Sequence, residues 1–124
     1  MSDRVQAYRG ALEAVDRILN RGGDADDVLR ELVDLLHDRF DRYSWVGISF
    51  VEGEELALGP WRGKESAAPA TGFPIRFEGE QVALLDVRGA DDEDRAFLER
   101  VALLISPYCL VGWDTGGVPW PEVS

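Results

Sequence analysis

The stretch YSWVGISFVEGEELALGPWRGK, residues 43 to 64, carries most of the information about the fold. Trp45, Val46, Ile48, Phe50 and Val51 form a run of β-branched and aromatic residues, which suits a pleated, half-buried surface. Glu52-Gly53-Glu54-Glu55 interrupts the run as a turn, and Leu56, Leu58 and Trp61 resume with strand-like alternation, so the pair reads as a β-hairpin. Downstream, Gly63 to Gly72 (GKESAAPATG) is a loop of small residues and Phe73 to Phe77 a third strand. Glu78-Gly79-Glu80 makes a second turn. Val82, Ala83, Leu84, Leu85 and Val87 form a fourth strand, apolar enough to be buried on both faces.

Helices flank this β-rich centre. From about Ser2 to Asn20, Val5, Tyr8, Leu12, Val15 and Leu19 recur at spacings of three and four, an apolar helical stripe that Asn20-Arg21-Gly22-Gly23 ends. Asp24 is placed to cap a second helix, with Asp26 and Asp27 in its dipole-favoured first turn. Val28, Leu29, Leu32, Val33, Leu35, Leu36 and Phe40 form its wide apolar face. Asp91, supported by Asp94 three residues on, caps a third helix whose stripe includes Phe97, Leu98, Val101, Leu104, Ile105 and Tyr108. Pro107 is expected to kink or end that helix, because it removes an amide donor. A tail from Gly112 to Ser124 is rich in Gly and Pro but carries Trp113, Val118 and Trp120. This order predicts an α+β domain: an antiparallel sheet of about four to five strands, two N-terminal helices and one C-terminal helix, with the helices on one face.

Size and charge narrow the function. A chain of 124 residues reads as a single domain, 1–124, able to bury a core without staples. With 24 Asp and Glu against 13 Lys and Arg, the net charge is −11, a field that repels nucleic-acid backbones and anionic lipid surfaces. Basic residues are almost all Arg, which fits either a GC-rich genome or a salt-adapted acidic proteome. Cys109 is the only cysteine, so no internal disulfide can form, and a reducing cytoplasmic setting is expected. The N-terminus lacks a signal-peptide pattern, and no apolar run approaches a membrane span. No metal site is expected: His37 has no partner at ligand spacing, and the Asp clusters at 24–27 and 91–94 read as helix starts. No phosphate loop and no Ser/His/Asp set occurs, and no cofactor is implied.

Two blocks carry a family resemblance. Trp45-Val46-Gly47, a turn, and the run from Leu56 to Lys64 resemble the opening of the free methionine-R-sulfoxide reductases, a family of GAF-domain enzymes. The second block, FPIRFEGEQVALLDVRGADDEDRAFLERVALLI at residues 73–105, is similar to that family's later strands and Asp-capped last helix. With the leading helices, the resemblance covers most of residues 5 to 109 and implies one shortened GAF-like domain. The departures bear on chemistry. Where the enzymes have a cysteine after Gly-Lys, this chain has Ala67. Their long middle segment, which holds further cysteines including the nucleophile, has no counterpart between Gly63 and Gly72. The family's Glu before the Val-Pro-Ile strand falls near Ala70, and of two acidic residues in the next strand Asp86 remains while the second is Arg88. Sulfoxide reduction needs an attacking thiolate and a resolving thiol, so the resemblance with these departures implies a non-catalytic relative.

Candidate residues follow. The resemblance places Trp45 and Trp61 at a ligand pocket, where they would form an aromatic wall; core or rim packing is the alternative. It also makes Asp86 a partner for a ligand amine, although a carboxylate in VALLDVR could equally pair with an Arg or point to water. Lys64, the sole lysine, is a candidate anion contact. The stripe Val5, Tyr8, Leu12, Val15 and Leu19 suits a paired-helix seam, and the resemblance implies dimerisation through terminal helices; packing on its own sheet or second helix is the alternative. Trp113, Val118 and Trp120 are candidates to plug sheet surface that the missing segment would uncover. Cys109 reads as a small buried hydrophobe or a redox site. The leading expectation is therefore a non-catalytic signalling or association module, homodimeric or bound to a protein partner. The alternative is a sensor of a small amino-acid-like ligand with a reduced pocket, and the third reading is reductase activity. A cavity faced by Asp86 would favour the sensor.

Overall fold

The computed structural model describes residues 3–64 and 68–113, with side chains to Cys109. Helix α1 spans Asp3–Arg21 and α2 spans Ala25–Arg39. The strands are β1 (Trp45–Glu52), β2 (Glu55–Gly63), β3 (Ala70–Phe77) and β4 (Glu80–Arg88). A 3-10 turn at Asp92–Asp94 leads into α3, Arg95–Trp113. The two hairpins join through their first and last strands, giving the antiparallel order β2-β1-β4-β3. Four strands thus form the sheet among the described residues, within the expected range.

One face of the sheet carries the core. Val46, Ile48 and Phe50 on β1, Ala83, Leu85 and Val87 on β4, and Phe73 and Ile75 on β3 alternate inward and are all buried. Helix α2 lies against β1 and β2, and α3 against β3 and β4; α1 packs on both helices as a third layer. Its buried residues are Ala11, Ala14 and Val15, so the inner part of its stripe serves this chain's own core.

Several local expectations hold and several change. Asp91 makes the predicted capping box: its carboxylate accepts from Glu93 N at 3.1 Å, and Asp94 Oδ2 accepts from Asp91 N at 3.0 Å. Asp24 sits at the N-cap of α2, but its side chain makes no capping bond. Pro107 does not end α3, which runs on to Trp113. The Leu103 carbonyl, which a residue at 107 would normally bond through its amide, instead accepts the Ser106 hydroxyl at 3.0 Å. The loop after Gly63 is shorter than predicted because Ala70, Thr71 and Gly72 already pair with Arg88, Val87 and Asp86. β4 is not buried on both faces: Leu84, Asp86 and Arg88 are only half-buried on the side away from the helices.

Candidate functional site

The face of the sheet turned away from α2 and α3 is where the predicted pocket residues meet. Gly47 pairs across to Trp61 on one side and to Asp86 on the other, and Asp86 pairs to Gly72, so Trp61, Gly47, Asp86 and Gly72 form one row across all four strands. Residues directly opposite on adjacent strands share a face. Both neighbours of Asp86 in that row are glycines, and other side chains cover them: on the β3 side a Cβ at Gly72 would fall 3.1 Å from a Leu84 methyl carbon. On the β2 side a Cβ at Gly47 would fall 2.2 Å from a Trp45 ring atom, so the Trp45 indole lies over Gly47. The Trp45 and Trp61 rings stack, with centroids 6.2 Å apart and planes 19° from parallel. Beyond them Gly63, at φ 125°, lets β2 close tightly on Ser44, whose carbonyl would lie 2.2 Å from an added Cβ.

Trp45, Leu58, Trp61, Gly63, Asp86 and Arg88 together line a cleft of about 330 Å³. Asp86 makes no hydrogen bond and no salt bridge among the described residues. Burial pushes its carboxyl above the ordinary range, and the charge of Arg88 partly opposes that. Arg88 is not a free charge; it has a partner of its own. Leu56 and Leu58, also facing away from the helices, are each 50% exposed. Lys64 does not line the cleft: its side chain is exposed, and its backbone amide donates to the Ser44 carbonyl at 3.0 Å.

A second polar constellation, not anticipated from the sequence, lies where α1, the α2–β1 turn and the start of α3 meet. Asp94 is fully buried. Tyr8 Oη donates to its carboxylate at 2.5 Å, Arg42 Nε donates at 3.2 Å, and Arg42 Nη2 also bonds it. Burial alone would raise the Asp94 pKa, but these donors and the Asp91 amide outweigh it and hold the carboxyl at about 2. The Arg42 guanidinium also lies 5.1 Å from the Tyr43 ring centroid. At the outer end Arg4 pairs with Asp91 at 2.8 Å.

The remaining candidates separate. Of the α1 stripe, Val15 is fully buried and Tyr8 stacks on Phe97 at 4.8 Å, so both are committed to this chain's interior; Leu19 packs against the same core. Val5, 47% exposed, and Leu12 face a groove between α1 and α3 of about 480 Å³, lined also by Arg9, Asp16, Arg100 and Leu104. Cys109 is fully buried, and burial raises its thiol pKa to about 12. Val118 and Trp120 lie outside the described residues, as does the side chain of Trp113. Among the described residues no cluster of His, Cys, Asp or Glu could hold a metal ion, and no helix is long and apolar enough to cross a membrane.

Solved structures decide the fold. A protein of Burkholderia vietnamiensis assigned as a GAF sensor superposes with a TM-score of 0.74 at 18% identity, covering 86% of this chain and 96% of the other. The GAF domain of nlh2 from A. aeolicus, in an inactive state, gives 0.67 at 11% identity, covering 86% and 98%. The chain has the GAF fold. The free methionine-R-sulfoxide reductase of Staphylococcus aureus, solved with its substrate, shares this GAF-like fold at a TM-score of 0.64 and 17% identity, covering 88% and 97%. No protein-family model matches the sequence, and no curated protein sequence does. At these identities the likeness is one of fold.

Proposed function

We propose that this GAF-type chain is a ligand-binding module, with the cleft between Trp45, Trp61 and Asp86 as its binding site for a small molecule. One observation carries the reading: a half-buried carboxylate stands between two glycines, beside a stacked indole pair, with no hydrogen bond or salt bridge among the described residues. A carboxylate partly removed from water is costly unless something compensates it. An apolar wall with one placed charge is the usual build of a small-molecule site. The module works without catalysis on this reading. The one cysteine is buried in α3, on the helix side of the sheet, and is held as a thiol by its surroundings.

The test is a thermal-shift and calorimetric screen of amino acids, methionine sulfoxide and small amines, with thiol-dependent turnover of the sulfoxide followed in parallel. A saturable rise in melting temperature that Asp86→Ala and Trp61→Ala both remove supports the site, since a ligand specific to the folded state stabilises it by mass action. Binding that neither substitution alters would displace the site, and turnover lost in Cys109→Ser would restore the reductase reading.

Association through α1 is a second reading, favoured by the groove that holds Val5 and Leu12. Arg9 and Asp16 are seven residues apart on its α1 wall, so an antiparallel second copy would bring opposite charges together twice. Sedimentation should then show a dimer that Leu12→Asp dissociates; a monomer at all concentrations rejects it.

A further inference from the structure

The balance of charge and hydrogen-bonding groups in the cleft says more about its ligand. Resting on the binding site proposed above, we infer that it takes a small organic cation, specifically a methylated ammonium group, in preference to a primary amine or a neutral molecule.

Charge points to a cation. Of the two ionisable groups lining the cleft, Arg88 is already engaged, while Asp86 has neither hydrogen bond nor ion pair among the described residues. The charge of Arg88 offsets that of Asp86 only in part and without a direct contact, so a cation seated on the Asp86 carboxylate supplies the ion pair it lacks. The net charge of −11 acts in the same direction at longer range, by concentrating cations around the molecule.

The indole wall points the same way. Trp45 and Trp61 stand nearly parallel, and Trp45 lies over Gly47, the residue paired directly with Asp86. Indole faces are the best aromatic partners for a cation, and the attraction grows when water is excluded. A carboxylate next to a pair of indoles therefore stabilises positive charge by two separate routes in one place.

Hydrogen bonding separates the cations from one another. A primary ammonium has three N–H donors and needs acceptors for each when it leaves water. Acceptors in the cleft are few, the two Asp86 oxygens and the backbone at Gly63; the other side chains lining it are indoles, Leu58 and a cationic Arg, none of which accepts a hydrogen bond. A trimethylammonium group has no N–H to satisfy, and its methyl surface packs against indole and Leu58. The cleft thus favours the charge and penalises the donors.

The decisive experiment titrates the full chain with tetramethylammonium, choline, ethanolamine and 3,3-dimethylbutanol, the last being the uncharged isostere of choline. Binding is read by calorimetry and by the indole signals of Trp45 and Trp61 in NMR spectra. Choline and tetramethylammonium should bind with at least about tenfold higher affinity than either control. Asp86→Asn, which keeps the side-chain shape, should lower choline affinity about tenfold and erase its advantage over the neutral isostere. Trp61→Phe should retain part of the affinity that Trp61→Ala loses. Ethanolamine, or any amino acid of the earlier screen, binding as well as choline would overturn the cation class and leave the site intact. Equal affinity for choline and dimethylbutanol would overturn it too, by making the pocket merely apolar. No binding by any compound in either screen would remove both the class and the site.

Discussion

At the level of single residues, Asp94 shows how one side chain fixes the relation of three elements. It is the third residue of a capping box and also the acceptor for Tyr8 from α1 and Arg42 from the α2–β1 turn. Replacing the carboxylate by an amide in such a buried set takes the counter-charge from the guanidinium and turns one of two acceptor oxygens into a donor group. Asp94→Asn should therefore lower the unfolding free energy by about 2–4 kcal/mol. The acid limb has a definite sign. The folded pKa of about 2 lies below the ordinary 3.8, so the contribution is complete above about pH 4–5 and fades as pH falls through 2. Its size is about 2 kcal/mol. Urea midpoints of the wild type and Asp94→Asn, compared at pH 7, 4 and 2.5, should converge as the pH falls; a constant gap would mean that the carboxylate charge is not what stabilises. The sequence shows Asp94 only as a helix-start residue, because capping is local. Tyr8 and Arg42 are 86 and 52 residues away, and nothing in the chain near either one announces the contact. Trp45, Trp61 and Asp86 were legible for a different reason: their motifs resemble a family in which these positions face one pocket, whereas strand alternation alone gives the face and not the row.

At the level of elements, α3 corrects a rule that usually holds. A proline in a helix interior deletes one hydrogen bond and costs about 3 kcal/mol. Here Ser106 covers the Leu103 carbonyl, and Pro107 itself points outward and is exposed, so the helix continues. Pro107→Ala restores the amide and should stabilise the domain by about 1–3 kcal/mol. Ser106→Ala should cost more in the wild type than in the Pro107→Ala background, and a double-mutant cycle in urea measures the difference. Purely additive effects would mean that the hydroxyl does not stand in for the lost amide. The amphipathic helices were readable because apolar residues at spacings of three and four leave little choice of face. The first three residues of β3 were not readable: Ala70, Thr71 and Gly72 have weak strand preference as a group and are held by pairing with β4, a partner that local sequence does not reveal.

For the whole molecule, charge and topology are the dominant facts. Several arginines are already committed, Arg4 to Asp91, Arg42 to Asp94 and Arg62 to Asp34 among them, and the excess of carboxylates is left to repel across the surface. Exposed ion pairs contribute little, whereas net charge of this size works against compactness. Raising sodium chloride from low to physiological strength and beyond should therefore raise the melting temperature at pH 7, as the screening length falls from about 30 Å at 0.01 M to about 8 Å at 0.15 M. A falling melting temperature would mean that the surface ion pairs outweigh the repulsion. Layer composition and helix number were visible in the sequence, since each follows from local pattern. Strand order was not, because two hairpins can dock through several pairs of edges and only the assembled core selects one.

That order also sets a timetable for the chain. Each hairpin is closed by a tight turn at Gly53 or Gly79 and needs only neighbours in sequence, so it can form within about 1–10 μs. The β1–β4 seam joins Phe50 to Ala83 and Trp45 to Arg88, and it cannot exist until the intervening segment has been gathered in. Folding is thus a fast local stage followed by one slower encounter. Because Asp86 sits on that seam, opposite Gly47, the cleft proposed as the binding site is among the last features to exist in a newly made chain.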